Sequence, residues 1–253
     1  MSPSASHPLS RPTLAILGFH HVGPPSPGGW DTWYYIPEQV FVSFLAYLRD
    51  HDWTVIDVAT LVTGLDEPGS LPERAALLTF DDGVRLIMGC ALQRLTEFRY
   101  PAVAFVPTDY VGGVNTFDED SAEPPEAMCD WNDLRELERR GVSVQSHSSS
   151  HPRFSGLDAA KLAEELTRSK GILEERLGNQ VQLFAFPYGD VGTDSEATLA
   201  ALKQAGYRAA CIYDGGLNHF PIANPYLLSR ITMGPETDLR SELGVAHLIN
   251  AQL

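Results

Sequence analysis

Ala75-Ala76-Leu77-Leu78-Thr79-Phe80-Asp81-Asp82-Gly83 runs from an apolar stretch straight into two adjacent carboxylates and a glycine. Consecutive side chains on an extended segment point to opposite sides. Two neighbouring aspartates there suit different work: one can hold a metal while the other stays free to move a proton. Taken alone, Asp-Gly after a buried strand also fits a plain turn. A second segment, His147-Ser148-Ser149-Ser150-His151, bears on that choice.

Working outward, strand-like runs alternate with amphipathic ones. Strands are expected at Leu14–Phe19, Trp53–Ile56, Ala76–Phe80, Ala102–Val106, Val142–Gln145, Val181–Phe186, Arg208–Ile212 and Leu227–Met233. Helices are expected at Val84–Phe98, at Trp131–Arg140, from Leu157-Asp158 to Gly178, and at Ser195–Gln204, with a helical tail. Phe41, Phe44, Leu45 and Leu48 also recur at helical spacing. Phe41, Phe44 and Leu48, like Leu162, Leu166 and Leu173, read as core. Such alternation argues for a parallel sheet, open or closed into a barrel. An α/β barrel of roughly 250 residues fits as one unit. The expected organisation is a flexible segment over 1–13 and a single domain over 14–253. A long irregular stretch from Thr108 to Asp130 carries the acidic run Asp118-Glu119-Asp120 with Glu123, read as a solvated loop.

The 253 residues include 18 Lys and Arg against 33 Asp and Glu, a formal net charge of −15. Such a surface repels nucleic acid and anionic lipid. No apolar run approaches the roughly 20 residues that span a bilayer, so no membrane insertion is expected. Cys90, Cys129 and Cys211 are widely spaced and suggest no disulfide framework. The Ser- and Pro-rich start lacks an apolar core of signal-peptide length, which leads to the expectation of a cytoplasmic protein; a trimmed secreted form would read the same.

The unusual polar residues fall at strand ends: His20-His21, Asp81-Asp82, His147 with His151, and Pro187-Tyr188-Gly189. In barrels of this class the loops at the C-terminal ends of the strands build the active site. If the turn between His147 and His151 curls helically, both imidazoles face one point. Two histidines and a carboxylate with open positions form a catalytic metal set. The competing reading is a pair of solvated histidines in a Ser-rich loop. A metal so held lowers the pKa of water to about 7 and polarises a carbonyl. The remaining aspartate can serve as base, and a histidine from another loop as acid.

Thr79-Phe80-Asp81-Asp82-Gly83, His147-Ser148-Ser149-Ser150-His151 and Phe186-Pro187-Tyr188-Gly189, in that order, resemble the NodB-homology polysaccharide deacetylases, carbohydrate esterase family four. The resemblance covers roughly Leu14 to Met233. It implies a distorted (β/α)7 TIM-like barrel and a metal-dependent deacetylase. By motif, Asp81 matches the family's catalytic base, Asp82 the metal-binding aspartate, and His147 and His151 the metal histidines. Tyr188 matches the residue whose backbone N–H joins the metal in an oxyanion hole. Phe19-His20-His21-Val22 resembles the start of the poly-N-acetylglucosamine deacetylase branch, in which the first histidine is the general acid. The implied cofactor is one divalent ion, most often zinc in this family, with cobalt or nickel as alternatives.

Two departures stand out. Ala185 occupies the place of an arginine that orients the catalytic aspartate, and the late Leu-x-His motif is replaced by Leu227-Leu228-Ser229-Arg230-Ile231. The expectation is that His20 supplies the acid and Arg230 the missing arginine, with Arg230 also counted among the substrate-binding residues beside Tyr188 and Trp33. His21, next to His20, is expected to face the other way. Trp30, Trp33, Tyr34 and Tyr35 read equally as a sugar-stacking cleft wall or as packing over a barrel end. The expected activity is removal of N-acetyl groups from an N-acetylglucosamine-type glycan. Two rivals remain: an amidase or cyclic-imide hydrolase of the same fold acting on a small intracellular molecule, and a carbohydrate-binding homologue that has lost catalysis.

Overall fold

The computed structural model describes residues 11–24, 34–117 and 125–244. In chain order its strands are β1 (Thr13–Phe19), β2 (His21–Val22), β3 (Tyr35–Ile36), β4 (Thr54–Val55), β5 (Arg74–Phe80), β6 (Ala102–Val106), β7 (Val142–Ser146), β8 (Leu183–Ala185), β9 (Ala209–Tyr213), β10 (Asn218–His219) and β11 (Leu228–Thr232). Seven of them close a ring, β1-β5-β6-β7-β8-β9-β11 and back to β1, through pairings that are all parallel. This is the (β/α)7 barrel expected from the motifs. Its distortion lies in the registers. β11 pairs with β1 only at Leu17 and Gly18, while β10 takes that edge at Thr13 and Leu14. Likewise β6 meets β5 at Thr79 and Phe80, and β4 takes Ala75 and Ala76. The barrel is thus zipped at the C-terminal ends of β1 and β5 and splayed at their starts.

Period-two alternation sorts the strand residues into two cores. Leu14, Ile16, Ala75, Leu77, Val103, Phe105, Leu183, Ala185, Ala209, Cys211 and Leu228 fill the interior, with Ile56, Val58, Leu61 and Val62 packed against them. Ala15, Leu17, Phe19, Ala76, Leu78 and Phe80 pack outward with the helices. Carried two residues further along β1, β5, β9 and β11, the inward parity reaches Gly18, Thr79, Asp81, Tyr213 and Arg230. On β7 it reaches His147. The end of the barrel where strands terminate therefore exchanges an apolar filling for a polar one.

The helices are α1 (Glu38–Asp50), α2 (Val58–Asp66), α3 (Cys90–Phe98), α4 (Trp131–Arg139), α5 (Ala159–Leu177), α6 (Ser195–Gln204) and the short α7 (Leu239–Glu242). α1 buries Phe41, Phe44, Leu45 and Leu48, each burial worth about 1.5–3 kcal/mol. α5 starts where the Asp158 carboxylate accepts from Lys161 N–H and stops at Gly178, φ 77°, a left-handed residue that only glycine adopts freely.

Two expectations need correction. The single helix expected over Val84–Phe98 is a 3-10 turn, Arg85–Met88, and then α3, because Gly89 sits between them with non-helical φ −83°, ψ −127°. The irregular stretch after Thr108 also holds order. Thr108–Tyr110 forms a 3-10 turn, and bridges join Val84 to Met128 and Val114 to Ala127. The expectations on Met1 to Ser10, Trp30, Trp33, Asp118 to Asp120, Glu123 and the tail beyond Gly244 lie outside the described residues. Among the described residues no helix is long and apolar enough to cross a membrane.

Candidate active site

β5 ends at Phe80, and the Asp81 N–H still donates to the Phe19 carbonyl at 2.9 Å. Asp81 thus keeps the inward parity of the strand and is buried. At Asp82 the backbone turns left-handed, φ 70°, as does Gly83, and the side chain swings toward β7. Aspartate tolerates that conformation better than most residues. Four of the six non-glycine residues with positive φ among the described residues are Asp82, Ser148, His151 and Tyr188. Strain concentrated in this way is a mark of a working site.

His147 and His151 do converge, but not by a helical turn. Ser148 and His151 take positive φ, 68° and 56°, and the His151 N–H donates to Ser148 Oγ at 3.0 Å. The ring centroids lie 4.8 Å apart. A glutamate on α5 clamps the loop between them. Glu165 Oε2 accepts from the Ser149 and Ser150 amides at 2.8 and 2.9 Å, and Oε1 from the Ser150 hydroxyl at 2.6 Å.

Both Nε2 atoms face the same oxygen, Asp82 Oδ1, at 3.4 Å from His147 and 3.3 Å from His151. His147 Nδ1 lies 2.8 Å from the Ala185 carbonyl, which calls for the ring proton on Nδ1 and leaves Nε2 with a lone pair toward Asp82. Two imidazole nitrogens around a carboxylate oxygen need a positive charge between them. Burial lowers the basicity of His147, but Asp82 and Asp81 outweigh it and raise the pKa. For His151, burial prevails, with the His147 charge against it, and the pKa falls. The three ligand atoms lie within 4.8 Å of one another, and a 2-His-1-carboxylate donor set suits zinc, cobalt or nickel. The residues fit a divalent cation.

Asp81 has different neighbours. Arg230 Nη1 donates to its Oδ1 at 2.6 Å and the Tyr213 hydroxyl to its Oδ2 at 2.9 Å. Burial pushes the Asp81 carboxyl up, yet Arg230, His147 and His20 hold it below the ordinary range. Arg230 is fully buried. It stands behind Asp81, not in the cavity, so its place among the substrate-binding residues is corrected. With Ala185 in place of an arginine, the cation that meets Asp81 is Arg230.

A cavity of about 400 Å³ opens over this constellation, lined by His20, His21, Tyr34, Asp81, Asp82, His147, His151, Tyr188, Tyr213 and Thr232. His20 and both aspartates share it. His21 does not turn away as strand parity predicts, because β1 stops at Phe19 and His20 is a bend. The buried His21 ring packs on Tyr35 at 4.6 Å, and burial and the neighbouring His20 push its pKa down to about 4. Tyr188 lies in a 3-10 turn, Pro187–Gly189, at φ 57°. Its ring stands 4.7 Å from His151. Trp33 lies outside the described residues.

Three contributors were not read from the sequence. Glu165 is one acidic residue among several on α5. Tyr213 ends an apolar strand like any core aromatic. Gly18 looks like a gap in Leu14–Phe19. Only for Tyr213 and Gly18 was a signal present: both share the inward parity of their strands.

Residues 69–210 match the family model described as polysaccharide deacetylase. The poly-beta-1,6-N-acetyl-D-glucosamine N-deacetylase of Staphylococcus aureus strain MRSA252 is 23% identical over 215 residues, covering 80% of this chain and 69% of that one. The chain spans 66–69% of the length of the curated relatives it matches. Among solved structures, the IcaB protein of Ammonifex degensii superposes with TM-score 0.76 at 25% identity, over 88% of this chain and 93% of that one. The Streptococcus pyogenes deacetylase PplD in complex with acetate gives TM-score 0.77 at 19% identity, over 92% and 98%. That second likeness speaks for the fold alone.

Proposed function

The chain belongs to the polysaccharide deacetylase family, and from that premise we propose that it is a divalent-metal hydrolase removing N-acetyl groups from an N-acetylglucosamine-type glycan. The observation that carries this reading is the convergence of His147 and His151 on Asp82 Oδ1, with Asp81 held separately beside them.

Asp82, His147 and His151 would hold the cation, which when bound supplies Lewis acidity toward an acyl carbonyl and a water molecule. Asp81 accepts the proton of the attacking water. Its two oxygens are hydrogen-bonded, but each keeps a lone pair for that proton. His20, on the same cavity wall, delivers a proton to the departing amine. The Tyr188 backbone N–H steadies the acyl oxygen as negative charge develops there; such a donor is worth roughly 3–4 kcal/mol in comparable hydrolases. Tyr34 and Tyr188 line the cavity, where aromatic side chains suit a sugar.

The name of the Staphylococcus relative supports a glycan substrate. A cavity of about 400 Å³ also lies in the range of small-molecule sites, which favours a small N-acyl compound as the second reading. The complete set of Asp81, Asp82, His147 and His151 argues against a merely carbohydrate-binding homologue. Acetate release from β-1,6- and β-1,4-linked N-acetylglucosamine oligomers, measured beside a panel of small amides and cyclic imides, separates these readings. Turnover of the oligomers alone supports the proposal; turnover of the small amides alone replaces it with the second reading. Binding of the oligomers by metal-loaded protein that turns over none of the panel would restore the non-catalytic homologue.

A further inference from the structure

Asp81 is gripped at both ends of its carboxylate, and only one grip comes from Arg230. The guanidinium reaches Oδ1 through Nη1 alone, and among the described residues its Nε and Nη2 have no hydrogen-bond partner. A carboxylate tied at one oxygen can pivot about that bond. The Tyr213 hydroxyl at Oδ2 removes the freedom.

The same tyrosine meets the other groups around the base. The Arg230 guanidinium carbon lies 3.8 Å from its ring centroid, a cation–π contact strengthened by burial. The His20 ring lies 5.8 Å away and nearly parallel, at 19°. Register pairs Tyr213 with Arg230 across β9 and β11. Gly18 on β1 leaves the volume that the ring fills: a Cβ there would sit 2.5 Å from Tyr213 Cε1. The inward positions before it on β1, Leu14 and Ile16, carry full side chains.

We propose that Tyr213 is a positioning residue that fixes the plane of the Asp81 carboxylate, with Gly18 kept small to admit it. The proposal rests on Asp81 acting as the base. Its test is Tyr213→Phe in the full, metal-loaded chain, assayed on N-acetylglucosamine oligomers, with metal content and a crystal structure of the variant. Losing a hydrogen bond to a charged group should lower kcat about 10- to 100-fold. KM should stay within about two-fold, since the bond does not touch substrate. Metal content should be unchanged and the Asp81 plane rotated. Gly18→Ala keeps the hydroxyl but displaces the ring, and should lose kcat in the same way. Wild-type kcat with an unrotated Asp81 overturns the proposal, as does a loss of kcat that simply follows loss of metal. A wild-type chain that releases no acetate defeats the deacetylase reading instead. The orientation of Asp81 in the variant structure then decides the positioning role by itself.

Discussion

At the residue scale, the two adjacent aspartates part company because the backbone turns left-handed between them. Asp81 continues the inward parity of β5 and meets Arg230, while Asp82, at φ 70°, meets His147 and His151. Asp81→Asn should keep the metal and lose kcat by about 10²- to 10⁴-fold, the span of a general base. Metal content and turnover measured on one preparation check this, and loss of metal would reverse the two roles. His20→Ala should lower kcat far more than metal affinity; an unchanged kcat removes His20 from the chemistry. That the two aspartates face different ways was legible from strand alternation; that the histidines meet Asp82 depends on the left-handed turn there, which alternation does not carry. The facing of His21 was not, because alternation holds only while the strand lasts and β1 ends at Phe19. Arg230 was legible as a candidate from its position but not as a buried one. Its burial follows from a register between β9 and β11 that no local pattern carries.

At the element scale, the loop that carries His147 and His151 is held by a helix. Glu165 on α5 takes the Ser149 and Ser150 amides between the two histidines, which braces the turn with its positive φ at Ser148 and His151. Outer partners of metal ligands are typically worth 10–100-fold in affinity. Glu165→Ala should therefore weaken zinc binding by about that factor in a calorimetric titration; unaltered affinity would mean the loop holds its shape unaided. Most elements could be read from apolar periodicity, and Ala102–Val106 and Ser195–Gln204 agree at both ends. α2 could not. Its sequence Val58-Ala59-Thr60-Leu61-Val62-Thr63 is rich in β-branched residues that disfavour helix, and it is helical because Leu61 and Val62 plug the barrel interior.

At the scale of the whole molecule, seven parallel strands bring residues from the ends of β1, β5, β7, β9 and β11 to one mouth. Alternation of strand and helix announced a parallel sheet; its closure rests on β1 pairing with both β5 and β11, a long-range fact beyond any single segment. A cation that binds only the folded barrel should also stabilise it. Chelation is expected to lower the melting temperature, and zinc to restore it in wild type but not in Asp82→Asn. Metal-dependent deacetylation itself is read by acetate release from N-acetylglucosamine oligomers by chelated protein titrated with zinc. Activity should be absent at first and return in full at about one ion per chain, with Asp82→Asn silent throughout. Acetate release that survives chelation, or a variant rescued as readily as wild type, would contradict the account.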